Sequence, residues 1–257
     1  MSYQAGIQSP HAASTGLPYL LSLPILFTPS PAANTWPLLI YLHGAGESGT
    51  DPKELLSEGA TGTPPVLSEA KAQHLQGYIV VSPQTDQGWS SRRMGTQVVD
   101  LLDELLKLPL GIDPTRVILT GVSMGGAGTF SVAAQHPHRF AAVVPVCGAP
   151  PREARWAHRL RNKSIWIWHG ANDAIMPVQY SDEAEQQLKQ AGSTAVKYTR
   201  VESAPAPVGW PHYTGHAVKP RACSSNASPF ICARARKACV PFQRAPSRMA
   251  PPIASRR

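Results

Sequence analysis

The segment Thr120-Gly121-Val122-Ser123-Met124-Gly125-Gly126 constrains this chain more than any other. It carries the pattern G-x-S-x-G. The apolar run Arg116-Val117-Ile118-Leu119 precedes it, and a stretch of small residues, 126–135, follows. That context predicts a strand that ends, turns sharply and enters a helix, with Ser123 at the turn. A residue at such a turn takes a strained backbone, so its neighbours must be very small. Gly121 and Gly125 meet that demand. The Ser123 hydroxyl then stands beyond the sheet edge, beside a helix N-terminus whose N–H groups favour developing negative charge.

The rest of the chain supplies strands and helices in alternation. Residues 19–23 read as a first strand between Pro18 and Pro24, after a polar lead-in over 1–16 that reads as extended or loose. Leu38-Leu39-Ile40-Tyr41-Leu42 and Tyr78-Ile79-Val80-Val81 are continuous apolar runs of strand length, which suit strands buried on both faces. A short helix is expected over 51–58 and a loop over 60–68. Val98, Leu101, Leu102, Leu105 and Leu106 recur at three- and four-residue steps and predict a helix over 96–108. After Ser123, strands are expected over 140–146, 164–168 and 196–202, with a helix over 178–191. This order predicts an α/β fold, a mostly parallel sheet with helices on both faces. In such sheets functional groups gather past the carboxyl ends of strands.

The net charge of +8 suggests a nucleic-acid partner until its location is examined. Nine of the 24 basic residues lie beyond residue 216, and no Asp or Glu follows Glu202. Residues 1–216 therefore hold 15 basic and 16 acidic groups, a net of −1. The excess belongs to the tail, and no nucleic-acid face is implied for the body. Cys147 lies in an apolar run and reads as a buried thiol. Cys223, Cys232 and Cys239 form neither a C-x-x-C pair nor an even set, which disfavours zinc and a disulfide framework. The N-terminal stretch lacks a basic region, and prolines break its apolar run. A signal peptide and a membrane span are not expected, and a cytoplasmic location is the default expectation.

The Ser123 segment in this setting resembles the nucleophile elbow of the α/β-hydrolase superfamily. The nearest likeness is to its small carboxylesterase, dienelactone-hydrolase-like and depolymerase-like serine esterases. The resemblance covers roughly residues 17–217. It implies a serine nucleophile, then an acid, then a histidine, in that chain order. A serine hydroxyl needs a base to take its proton, and the base needs a carboxylate to orient it. Trp168-His169-Gly170-Ala171-Asn172-Asp173 resembles the family's H-G-x-x-D stretch and offers Asp173 as the acid. Asp182, Glu183 and Glu185 are rivals on an expected solvated helix face. Gly215-His216 resembles the pair that carries the base, with His212 as the alternative. His169 reads as structural, and His136 and His138 as helix end and loop. His43-Gly44-Ala45-Gly46 resembles the H-G-x-G segment, so the Ala45 and Met124 N–H groups are the implied oxyanion donors. Glu47 is placed to orient that loop. Trp89 reads either as a wall of the acyl pocket, and so substrate-binding, or as an ordinary core or surface tryptophan.

No metal or organic cofactor is implied, and the partner is a small-molecule ester. There is no G-x-x-x-x-G-K-[ST] and no H-E-x-x-H. Ser123 stands where a dinucleotide-binding loop needs its second glycine. Peptidase or thioesterase chemistry shares the same machinery and stays open, because an elbow does not choose the leaving group. The chain divides into the lead-in 1–16, the hydrolase body 17–217 and a tail 218–257. The tail holds six prolines and nine basic residues with no acid. Such composition buries little apolar area and is expected to stay disordered. A reading-frame change just after His216 accounts for the loss of pattern. A genuine basic tail that contacts anionic surfaces, on a catalytically impaired body, is the alternative.

Overall fold

The computed structural model describes residues 8–24, 26–27, 36–57 and 77–202. Eight strands form one sheet in the order β1-β2-β4-β3-β5-β6-β7-β8. They are β1 Gln8–Ala12, β2 Pro18–Ser22, β3 Trp36–Leu42, β4 Ile79–Pro83, β5 Ile112–Val122, β6 Ala142–Val146, β7 Ser164–Gly170 and β8 Val196–Val201. β1 and β2 pair antiparallel, β2 meets β4 antiparallel, and every pairing from β4 through β8 is parallel. The expected mostly parallel α/β sheet is therefore present.

Among the described residues, the α-helices are α1 Arg92–Lys107, α2 Met124–Gln135, α3 Trp156–Leu160 and α4 Gln179–Gln190. Side chains alternate across a strand. Leu38, Ile40 and Leu42 of β3 consequently share one cluster with Val98, Leu102 and Leu105 of α1, Phe130 of α2, Trp156 of α3 and Leu188 of α4. Leu39 faces the other way, with Val80, Ile118 and Ala142. Among the described residues, no helix contributes to that second cluster. The expectation of helices on both faces thus rests on one described layer.

Several boundaries differ from expectation for local reasons. α1 begins at Arg92 because Ser91 caps it, its Oγ accepting the Met94 N–H at 3.2 Å. Within the lead-in, Gln8–Ala12 forms an edge strand, and a turn through Gly16 at φ 82° returns the chain to β2. Pro10 is tolerated there because an edge strand leaves half of its N–H groups outside the ladder. Pro37 coincides with the shift in register between Trp36 and Leu38. α3 was not expected. It is five residues long, too short to show a period, and is held by buried Trp156, whose Nε1–H donates to Gln187 Oε1 at 2.8 Å.

The parallel register positions the site. Leu42 of β3 lies opposite Gly121 of β5, Val122 opposite Val146 of β6, and Val146 opposite Trp168 of β7. Four strands therefore end nearly level. The chain past the first three, at His43, Ser123 and Cys147, emerges at the edge where β7 runs on through His169 to Gly170.

Candidate active site

Ser123 sits between β5 and α2 with φ 57° and ψ −116°, a conformation non-glycine residues seldom adopt. Holding it costs on the order of 1–3 kcal/mol. The surroundings impose it. The Ser123 N–H donates to Val146 O at 2.9 Å, and its own carbonyl accepts the Ala127 N–H at 2.9 Å. A Cβ on Gly125 would lie 2.0 Å from Leu42 O and 2.6 Å from His43 O. One on Gly121 would lie 2.5 Å from Gly125 O, and one on Gly126 2.3 Å from Val146 O. The first turn of α2 therefore rests directly on neighbouring backbone, and Ser123 is left half-exposed at the sheet edge.

The loop after β3 comes up beside it. Ala45–Glu47 makes one 3-10 turn, with Ala45 and Gly46 exposed and Glu47 buried. Glu47 Oε2 accepts the Gly44 N–H at 2.9 Å, so this carboxylate orients the loop as its sequence position suggested. His43 is fully buried. Its Nε2 accepts the Thr85 N–H at 3.1 Å, which leaves the proton on Nδ1, donated to Gly44 O at 2.7 Å. Burial holds the His43 pKa below the ordinary 6.5, against smaller opposing contributions from these hydrogen bonds and from Glu47.

That direction fixes a pH dependence. The unfolded chain takes up the proton before the folded one does. Stability is full above about pH 6.5 and is lost as the pH falls below it. Burial lowers the pKa of His11 and His136 too, with the same sign. The melting temperature is expected to drop between pH 7.5 and pH 5.5. His43→Asn, which cannot be protonated, should show a smaller drop in the same pair of melts.

Asp173 lies past the end of β7, its side chain buried. Its Oδ1 accepts the Ile175 and Met176 N–H groups at 3.0 and 2.9 Å, and Oδ2 lies 3.5 Å from His169 Nε2. His169 is buried, bonded to Ser181 Oγ at 2.7 Å and Met176 O at 2.8 Å, and braces the Asp173 loop from behind. That is the structural part expected of it. Asp182 bonds Tyr198 and Arg200 on the α4–β8 surface, away from this edge. His212 and His216 lie outside the described residues, as does the tail.

Trp89 is fully buried, with its indole N–H donated to His43 O at 3.1 Å. Its ring meets that of His43 edge-on at 5.0 Å. Of the two readings open for it, its full burial accords with the core tryptophan. Sequence reasoning missed Gln84 and Thr85, which follow β4 and bond the same loop. A polar pair at a strand's carboxyl end, straight after Pro83, was the available signal. It also missed the second strained residue, buried Cys147 at φ 42°, which follows β6 and precedes Gly148, packed against Gly126.

Comparison with known proteins agrees with this geometry. Residues 81–208 match the model of a phospholipase/carboxylesterase family. The chain is 30% identical over 158 residues to the bifunctional acetylxylan esterase/xylanase XynS20E of Neocallimastix patriciarum, covering 60% of this chain and 22% of that protein. It is 24% identical over 202 residues to poly(3-hydroxyalkanoate) depolymerase C of Paucimonas lemoignei, covering 62% and 46%. The chain thus spans less than half the length of either relative. A thermostable esterase of known structure superposes with a TM-score of 0.72 at 26% identity, over 88% of this chain and 62% of that one. Parallel sheet, strained serine between strand and helix, and these likenesses agree: the chain belongs to the α/β-hydrolase superfamily.

Proposed function

We propose that this protein is a serine hydrolase that cleaves carboxylic esters of small molecules through an acyl-enzyme. The strained, half-exposed Ser123 at the level edge of four strands carries this reading. Ser123 Oγ attacks the ester carbonyl while His216 takes its proton. The Ala45 and Met124 N–H groups receive the oxyanion, and the alcohol leaves with the proton from His216. Water, activated by the same histidine, then releases the acid and restores Ser123. Asp173 holds the histidine in the required tautomer. Its Oδ1 accepts two backbone N–H groups of its own loop, which fixes the carboxylate in place past the end of β7. The names of the relatives, a bifunctional acetylxylan esterase/xylanase and a poly(3-hydroxyalkanoate) depolymerase, support an ester rather than a peptide bond.

The test is turnover of a short-chain p-nitrophenyl ester, together with labelling by a fluorophosphonate mapped by mass spectrometry. One label per chain on Ser123, with turnover, is the expected result. A folded protein with neither overturns the reading. His216→Ala is expected to lose turnover by about 10⁴-fold or more, while His212→Ala keeps it. The reverse pattern would transfer the base to His212.

A further inference from the structure

The oxyanion hole of the proposed reaction is assembled from two separate pieces of backbone, the loop after β3 and the first turn of α2. Something must set the gap between them, since a donor displaced by a fraction of an ångström no longer meets the developing charge. The segment between β4 and α1 touches both pieces. Gln84, fully buried, donates from Nε2 to Glu47 O at 3.1 Å and to Glu54 Oε2 at 3.3 Å. Both neighbours are acceptors, so only the amide's nitrogen end suits them. Its backbone N–H donates to Pro18 O at 2.9 Å, anchoring the residue to β2. Thr85 bonds His43 through its N–H and Gly49 through its carbonyl, the latter at 3.4 Å.

Trp89 reaches furthest. On one side its indole N–H holds the His43 carbonyl, two residues before Ala45. On the other, its Cβ fills the space above Gly128, one turn into α2, where a glycine Cβ would come within 2.2 Å. Gly88 beside it takes φ 68° and brings the backbone close to the Met124 thioether, which would lie 3.6 Å from a Cβ there. One rigid aromatic thus spans from the loop of one donor to the helix of the other. We propose that Trp89 and Gln84 are positioning residues that fix the spacing between the Ala45 and Met124 N–H groups. This inference rests on the esterase reading given above. It assigns Trp89 to the geometry of the oxyanion hole.

The test compares wild type with Trp89→Phe, which keeps the ring and removes the N–H, and Gln84→Glu, which sets a carboxylate against two acceptors. Steady-state kinetics on a short-chain p-nitrophenyl ester are read beside amide hydrogen exchange of the peptide covering residues 43–49. Each variant is expected to lose about tenfold or more in kcat, below the loss for removing a whole donor. KM should stay within about twofold, and residues 43–49 should exchange faster while β5 exchanges as before. Unchanged kcat overturns the proposal, as does a KM rise that matches or exceeds the kcat loss. A loss confined to temperatures where the variant melts also overturns it. If wild type neither turns over esters nor takes the fluorophosphonate label, the esterase reading fails. The positioning claim is then decided by exchange alone, and equal exchange in all three proteins sinks it.

Discussion

Ser123→Ala is expected to lower ester turnover by about 10⁴–10⁶-fold, to the level the oxyanion donors and substrate binding sustain without a nucleophile. The fold should survive. The Ser123 N–H and carbonyl bonds that hold the turn are kept by alanine. Alanine also accepts φ 57° no worse than serine does, so melting of the two proteins should agree within a few degrees. The measurement is initial rates on a p-nitrophenyl ester for both proteins at matched circular dichroism. Equal rates would remove Ser123 from the nucleophile's place. A large fall accompanied by unfolding would show that the side chain holds the elbow rather than acts from it.

Gly125→Ala is expected to be the most damaging one-methyl change in the described chain. The added Cβ would fall 2.0 Å from the Leu42 carbonyl oxygen and 2.6 Å from that of His43. Both are backbone atoms of a central strand and the loop behind it, so neither can swing aside. Relief requires β3 and α2 to separate, which breaks the contact that seats Ser123 and displaces the oxyanion loop. A cost of about 4 kcal/mol or more is expected, or failure to fold. In a chain of this size that lowers the melting temperature by about 10 °C or more. Gly46→Ala is the control. Its Cβ meets nothing within 4 Å, and its effect on melting should be within about 0.5 kcal/mol. Similar melting of the two variants would contradict the described packing. Activity should follow stability in the first variant, since the same displacement opens the site.

How much of this was readable in advance depends on the range of the signal. The elbow was legible because its demands are local: a serine in a left-handed turn needs glycine on both sides, and five adjacent residues state it. β3 and β4 were legible as unbroken apolar runs, and α1 as a regular period. The loop-bracing bonds of Glu47 and Asp173 were legible because each carboxylate accepts N–H groups within three residues of itself. β1 was not legible: Gln8–Ala12 is polar and contains a proline, and only its pairing with β2 makes it a strand. α3 depends likewise on a distant pocket, where Trp156 meets Phe130 with ring centroids 5.2 Å apart. The bonds of Gln84, Thr85 and Trp89 to the His43 loop span about forty residues of sequence, and the polar pair after Pro83 hints at a role without naming the partner. Cys147 looks like any strand-end apolar residue until the backbone is traced through positive φ.

The glycine-lined base of α2 has a consequence for how such a chain changes over time. Gly121, Gly125, Gly126 and Gly148 place main chain against main chain, with no side chain between them whose size could vary. Ser123, the nucleophile of the proposed reaction, is thereby insulated from repacking elsewhere in the core. In the proposed reaction a substrate would meet the loops beyond the strand ends, outside that contact. Drift in those loops can exchange one ester for another while the chemistry stays where it is. Stability and substrate choice are thus set by different parts of the molecule and are free to evolve separately.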